Sequence, residues 1–433
     1  MSRPPRCLLR LSALACTLGS LAPLVVPAHA ATTPRTLAVS TARAAAAPYA
    51  VIATGLDNPH GLTFGPDGSL YVAEAGSGGT GACVPNPDGG APTCYGPSGA
   101  ITRIRFTADG TPVLQQRVVT GLPSVAAAPG FAATGPVGLS FAGHNPLPYV
   151  IVQTPVVTAT APSPAGFGPT DGRNFGKLLR VFPFAGVGLR FPVTDIARYQ
   201  AATIPYNGPD AEPKPDSNPY AVLADQASGG AYVVDAAAND LVFVDRARRV
   251  STVAVFPDHS FPGSPIGCGQ AISPTLNNYC YQSVPDSLTR GPDGALYVGE
   301  LGGGGAGLGG ASVYRLVPGA TTIQQPAVYQ GGFTSIGAIA FGPDGSLYVL
   351  EIFAQGLDQA FGPQGNRSGA LIRVAPTGVR TTIASGPSGG LVAPTGLAIS
   401  PDGKAAYVSN FGIFPKNGPP HTPSGQVVRV TLP

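Results

Sequence analysis

Glu74, Gln153, Asp235, Glu300, Glu351 and Asn410 each close a run of Tyr, Val and other apolar residues, at matching points of six related segments. A polar residue at the end of such a run marks a change of environment. Four of the six carry a carboxylate. Near the start of the same segments stand His60, Tyr220, Asp286 and Thr395. Oxygen-rich groups gathered around one opening suit Ca2+ or another hard divalent cation. On that reading the candidate metal ligands are Glu74, Asp235, Asp286, Glu300 and Glu351. A plainer reading also stands: each residue caps its own strand or bonds the backbone of the next loop, and six-fold repetition explains the pattern without a ligand.

Other motifs carry less chemistry. Asp67, Asp293, Asp344 and Asp402 lie in Pro-Asp-Gly turns, whose formation accounts for them. Asp210, Glu212 and Asp216 make an acidic loop without the spacing of a calcium-binding loop. His60, His144, His259 and His421 fall in separate loops with no paired-His spacing, and His60 alone is placed for the opening. The Gly302–Gly305 run lies between strands instead of opening a helix, so no nucleotide cofactor is expected. The net charge is +3 and the Arg and Lys are scattered singly apart from Arg246-Ala247-Arg248-Arg249, which excludes an obvious nucleic-acid surface.

The elements that position these residues are hairpins. In the four clearest copies a short strand meets Pro-Asp-Gly, at 66–68, 292–294, 343–345 and 401–403, and a Tyr/Val-rich strand follows. Proline presets the turn entry, and glycine supplies positive φ. Two weaker copies begin at Pro136 and Pro219. Further apolar runs follow as third strands (100–106, 176–182, 241–245, 312–316, 370–374, 425–430) and, in places, as fourth strands (117–120, 251–256, 381–385). Four strands repeated six times is the signature of an all-β, six-bladed β-propeller. The 60 Gly and 48 Pro, a quarter of the 433 residues, build its turns and loops. The last repeat lacks a fourth strand, and residues 49–55 match one, so the N-terminal strand is expected to close the last blade. Insertions at 76–98, 154–173, 207–217 and 257–281 decorate the repeats, as binding loops do.

Residues 1–30 read as a secretory signal peptide: Arg3, Arg6 and Arg10, an apolar stretch from Leu11 to Val26, then Ala28-His29-Ala30 before the cleavage point. Residues 31–48 read as a flexible leader, and 49–433 as one propeller domain, secreted and with no membrane-spanning segment after cleavage. Export permits disulfides, and local pairing gives Cys83–Cys94 and Cys268–Cys280.

The segments at 58–74, 175–182, 217–245, 284–300, 336–351 and 393–410 resemble the ScyD/ScyE family of exported bacterial six-bladed propellers; 216–220 and 235–240 are the most specific. More distantly the repeats resemble NHL-type and lactonase-like propellers. The lactonase-like resemblance implies a divalent metal at the channel mouth, near Glu74, Asp235, Asp286 and Glu300. Two functions follow as expectations. One is a binding or scaffold module that presents long loops to an extracellular small molecule, glycan, peptide or protein. The alternative is a divalent-metal-dependent hydrolase or lactonase.

Overall fold

In the computed structural model the second strand of every repeat is buried along its whole length. A strand covered on both faces is apolar at successive positions and not at alternate ones. That is why these strands read Leu-Tyr-Val or Tyr-Val-Ile. The structure describes residues 49–433 apart from 86–90, 129, 156–166, 168–171, 184–188, 204–216, 261–279, 304–305, 362–364 and 414–423. The expected signal peptide and leader therefore lie outside the described residues. So do Cys268, the acidic loop at 210–216 and most of the insertions expected at 154–173, 207–217 and 257–281.

The chain enters through β1 (Tyr49–Leu56). Blade 1 holds β2 (Pro59–Phe64), β3 (Leu70–Glu74), β5 (Thr93–Phe106) and β6 (Pro112–Ala127), with β4 (Cys83–Val84) and β7 (Phe131–Thr134) added at one end. Blade 2 holds β8 (Pro136–Ser140), β9 (Tyr149–Val152), β10 (Lys177–Val181) and β11 (Arg190–Asp195). Blade 3 holds β12 (Pro219–Ala224), β13 (Ala231–Asp235), β14 (Asp240–Val244) and β15 (Val250–Val255). A ribbon of β16 (His259–Ser260) and β17 (Cys280–Tyr281) precedes blade 4, which is β18 (Pro285–Arg290), β19 (Leu296–Glu300), β20 (Ala311–Leu316) and β21 (Ala327–Phe333). Blade 5 is β22 (Ile336–Phe341), β23 (Leu347–Glu351), β24 (Ala370–Val374) and β25 (Arg380–Ser385). Blade 6 is β26 (Gly396–Ile399), β27 (Ala405–Asn410), β28 (Gly425–Thr431) and, as its fourth strand, β1. The fold is a six-bladed β-propeller. Its described helices are short: α1 (Ile196–Thr203) and α2 (Leu357–Phe361), besides two 3-10 turns. No helix among the described residues is long and apolar enough to cross a membrane.

Closure follows the expected register. Strand β1 runs antiparallel to β28, from Tyr49 opposite Val430 to Leu56 opposite Gly425. The last blade thus leaves no unpaired edge at β28. Six apolar clusters fill the six gaps between blades. Leu62, Val72 and Ile104 meet Tyr407 and Val427 between blades 1 and 6, and Ile151 and Leu178 meet Val233 and Val242 between blades 2 and 3. Each buried Val, Leu, Ile or Phe contributes roughly 1.5–3 kcal/mol.

The insertion at 76–98 is more ordered than a loop. β5 begins at Thr93, and β6 runs on to Ala127 instead of ending near Thr120. Blade 1 therefore carries a sheet extension, in which Cys83 sits opposite Cys94 and is bonded to it. Cys280 is also disulfide-bonded.

Candidate functional site

The inner strands of all six blades share one local pattern. They read Pro59-His60-Gly61-Leu62, Pro136-Val137-Gly138-Leu139, Pro219-Tyr220-Ala221-Val222, Pro285-Asp286-Ser287-Leu288, Ile336-Gly337-Ala338-Ile339 and Pro394-Thr395-Gly396-Leu397. In blades 1 to 5 the pairing register slips at the second of these residues, which leaves the ladder as a bulge. A bulge re-aims a side chain. The third residue is small because neighbouring inner strands converge there: a Cβ on Gly61 would stand 2.7 Å from the Val137 carbonyl oxygen. Ahead of the pattern the chain turns a left-handed corner at Asn58, Val284, Ser335 and Ala393, with φ of 47°, 52°, 46° and 43°. Such φ values are costly for residues with a side chain.

The polar residues that end the second strands brace these corners. Glu74 accepts from the Asp57 N–H at 2.8 Å, Gln153 from Gly135 at 3.4 Å, Asp235 from Asn218 at 2.7 Å, Glu351 from Thr334 at 2.8 Å and Asn410 from Val392 at 2.7 Å. In blade 4 the Ser283 hydroxyl donates to Glu300 at 2.5 Å. Most braces have further partners. Glu74 takes Arg117 Nη2 at 2.6 Å and the Thr102 hydroxyl at 2.5 Å. Asp235 takes Ser217 and the N–H groups of Ala237 and Ala238. Glu300 Oε2 also meets His259 Nε2 at 2.9 Å and the Tyr314 hydroxyl at 3.1 Å. Of the five candidate metal ligands, Glu74, Asp235, Glu300 and Glu351 thus each serve their own blade. Among the described residues no three His, Cys, Asp or Glu side chains are grouped to hold a metal ion.

Asp286 is the exception, because it is a bulge residue and not a brace. It is buried, and its Oδ1 has no hydrogen-bond partner among the described residues. Burial pushes its carboxyl well above the ordinary range, the Glu300 charge adds to this, and a bond from Ser287 opposes it. Tyr220 feels its charge, and His60 lies beside Tyr220. They come from blades 1 and 3, 160 residues apart, yet the Tyr220 hydroxyl and His60 Nδ1 lie 3.2 Å apart. Their rings meet edge-on at 79°. Blade 2 places only Val137 at this level, so the two reach past it. Burial pushes His60 down to about 4, and burial followed by the Asp286 charge pushes Tyr220 up. Thr395 completes the ring by donating to the Pro59 carbonyl at 2.6 Å, which ties blade 6 to blade 1. At neutral pH His60 is uncharged, and burial favours the protonated forms of Tyr220 and Asp286. Together they bring hydrogen-bond donors and acceptors from the inner strands of blades 1, 3 and 4. Such a set can hold a hydroxyl or carbonyl group.

His259 is a partner that sequence reasoning missed. It sits in the ribbon before blade 4, against Glu300, Tyr314 and the ring of Tyr281. Burial alone would lower its pKa, but the hydrogen bond and charge of Glu300, with Asp258, raise it. Nothing in a lone His 41 residues before its partner signals the contact.

No family model matches the chain, and no curated protein matches it. Solved structures do. A luciferin-regenerating enzyme is 10% identical over 89% of this chain and 95% of its own, with a TM-score of 0.47. The PQQ-bound aldose sugar dehydrogenase of Streptomyces coelicolor is 12% identical over 90% of this chain and 100% of its own, with a TM-score of 0.45. Virginiamycin B lyase of Staphylococcus aureus is 11% identical over 89% of this chain and 99% of its own, with a TM-score of 0.41.

Proposed function

We propose that this is an exported binding propeller of the ScyD/ScyE kind that takes a small, uncharged, hydrogen-bonding ligand at the channel mouth. The observation that supports it is the ring itself. His60 of blade 1 and Tyr220 of blade 3 meet, and Asp286 adds a buried oxygen with no partner among the described residues. A fold does not require buried polar groups on its axis, and leaving one unsatisfied costs about 1–3 kcal/mol. A ligand hydroxyl or carbonyl would satisfy it. Presentation of long loops to a glycan, peptide or protein remains a companion proposal, resting on insertions outside the described residues.

The test is retention. Purified protein is mixed with a pool of neutral hydroxylated and carbonyl compounds, and the retained species are identified by mass spectrometry. The wild type should retain a small set that the Tyr220→Phe/Asp286→Asn variant loses while its circular dichroism stays unchanged. Equal retention by both proteins would remove the ring from the reading.

The hydrolytic alternative keeps two oxygens, Asp286 Oδ1 and Glu300 Oε1, both buried and without a hydrogen-bond partner among the described residues. Two carboxylates on one blade fall short of the six to eight oxygens that Ca2+ takes. Elemental analysis showing stoichiometric metal, lost in Asp286→Asn, would place that alternative first.

A further inference from the structure

The proton shared by His60 and Tyr220 decides what this pair can offer a ligand. A neutral imidazole carries hydrogen on one nitrogen and accepts on the other, while a phenol can do either. Which nitrogen keeps the hydrogen is set by the bond that the other one makes. At His60 that bond joins Nδ1 to the Tyr220 hydroxyl, at 3.2 Å. A histidine Nδ1 is often tied to a backbone carbonyl. His60 has no such tie among the described residues, and it leaves the β2 ladder at the bulge between Pro59 and Leu62. The one hydrogen-bond partner of its side chain among the described residues comes from blade 3, 160 residues away.

Two arrangements fit that contact. If Nδ1–H donated to the phenol oxygen, Nε2 would be a bare acceptor, and the Tyr220 hydrogen would find no acceptor among the described residues. If Tyr220 donates to Nδ1, its only hydrogen is used and the imidazole hydrogen stands on Nε2. The second bond is the stronger. An imidazole nitrogen takes up a proton at an ordinary pKa of about 6.5, far above a phenol oxygen, so the nitrogen is the better acceptor. Burial lowers His60 to about 4 and raises Tyr220, so neither is charged near neutral pH. The ring of His60 is buried, but its Nε2 edge differs from Asp286 Oδ1. That oxygen is sealed from solvent and unpaired, whereas Nε2 is not among the sealed, unpaired atoms and makes no hydrogen bond among the described residues. Nε2 is therefore the atom of the pair left for an incoming group.

We infer that Tyr220 is a positioning residue: its hydroxyl donates to His60 Nδ1, fixes the Nε2–H tautomer, and so makes the site select a ligand by an acceptor oxygen, as in a ketone or amide carbonyl, over a ligand that can only donate. This rests on the binding reading above and states which part of the ligand meets His60. The other tautomer would present a bare nitrogen and call for an N–H or O–H instead. A carbonyl oxygen meets Nε2–H with its lone pairs. A hydroxyl group meets it only through its oxygen and must place its own hydrogen elsewhere. Tyr220 acts here through His60 and need not touch the ligand.

The test reads the nitrogens directly. Long-range proton–nitrogen correlation spectra of the nitrogen-labelled protein near neutral pH separate a hydrogen-bearing imidazole nitrogen from a bare one. The variant His60→Gln identifies the His60 signals by their loss. The wild type should show hydrogen on Nε2 and a bare, hydrogen-bonded Nδ1. Tyr220→Phe should move the Nδ1 signal and let both nitrogens drift toward averaged positions. Hydrogen on Nδ1 in the wild type, or signals that Tyr220→Phe leaves in place, would overturn the role of Tyr220; the first of these needs no variant. Cyclopentanone and pyrrole probe the ligand class, since they are close in size and the first only accepts while the second only donates. Titrated against the His60 signals, cyclopentanone should bind roughly three- to tenfold more tightly, the worth of one hydrogen bond, and Tyr220→Phe should shrink that difference. Equal binding, or a preference for pyrrole, with hydrogen on Nε2 would overturn the acceptor class. Failure of both probes to move the His60 signals would overturn the binding reading itself and leave the tautomer standing.

Discussion

Replacing Glu351 by Gln should stabilise the protein at alkaline pH and leave it almost unchanged in acid. Glu351 braces the left-handed corner at Ser335 by accepting the Thr334 N–H. Gln keeps that acceptor in place. Burial raises the Glu351 carboxyl from 4.5 to about 7, against the opposing Thr334 bond and Arg380 charge. The folded state therefore holds a proton that the unfolded chain releases between pH 4.5 and 7. Stability contributed by the neutral acid is present below 4.5 and is lost as pH rises through that window. The whole interval corresponds to about 3 kcal/mol. Urea unfolding of wild type and Glu351→Gln, followed by circular dichroism because the chain has no Trp, should show near-equal stability at pH 4. At pH 8 the variant should be more stable by about 3 kcal/mol. Comparing the two proteins at each pH cancels every other titrating group. A difference that does not change between pH 4 and 8, or a variant that weakens at pH 8, would refute burial as the cause.

The remaining predictions concern other parts of the ring and blade 1. His60, held near 4 by burial, has the opposite sign: the unfolded chain gains its proton first, so stability falls by up to about 3 kcal/mol as pH drops from 6.5 to 4. Its imidazole proton resonances should not move between pH 5.5 and 8 in NMR spectra, and a titration centred near 6.5 would contradict this. Arg117→Met leaves the fully buried Glu74 carboxylate without its cation. Thermal unfolding should report a loss of about 2–3 kcal/mol, below the fully buried range because Arg117 is 39% exposed. Arg117→Lys should restore part of it. The Cys83→Ser/Cys94→Ser variant opens a cross-link spanning 11 residues and should lose roughly 2–3 kcal/mol, with limited proteolysis cutting first in the blade 1 extension.

The propeller was legible in the sequence because its signals are local. Pro-Asp-Gly fixes each hairpin, the doubly buried second strand writes itself as Tyr-Val runs, and an orphan third strand at the C-terminus needs a partner such as residues 49–55. The blade 1 extension was hidden because β5 carries Gly96 and Gly99 and packs against a loop with Gly78 and Gly79, where backbones approach too closely for side chains and no alternation survives. The strand-end acids were legible as a repeated type, but not their direction. Whether a carboxylate faces a cation or a backbone N–H about 17 residues upstream depends on the corner at 58, 284, 335 or 393, which no composition reveals. The His60–Tyr220 pair was out of reach for a different reason. Each residue was marked for the opening, but a contact between blades 1 and 3 depends on the whole ring being closed.

The division of labour at each inner strand has one more consequence. In blades 1 to 4 the proline, the small residue and the distant brace secure the backbone on either side of the bulge, and the side chains of His60, Val137, Tyr220 and Asp286 stand outside the ladder. Blades 5 and 6 depart from this: Gly337 has no side chain there, and the Thr395 hydroxyl bonds the Pro59 carbonyl. Substitutions at His60, Tyr220 and Asp286 should therefore change the groups on offer there and leave the blades standing.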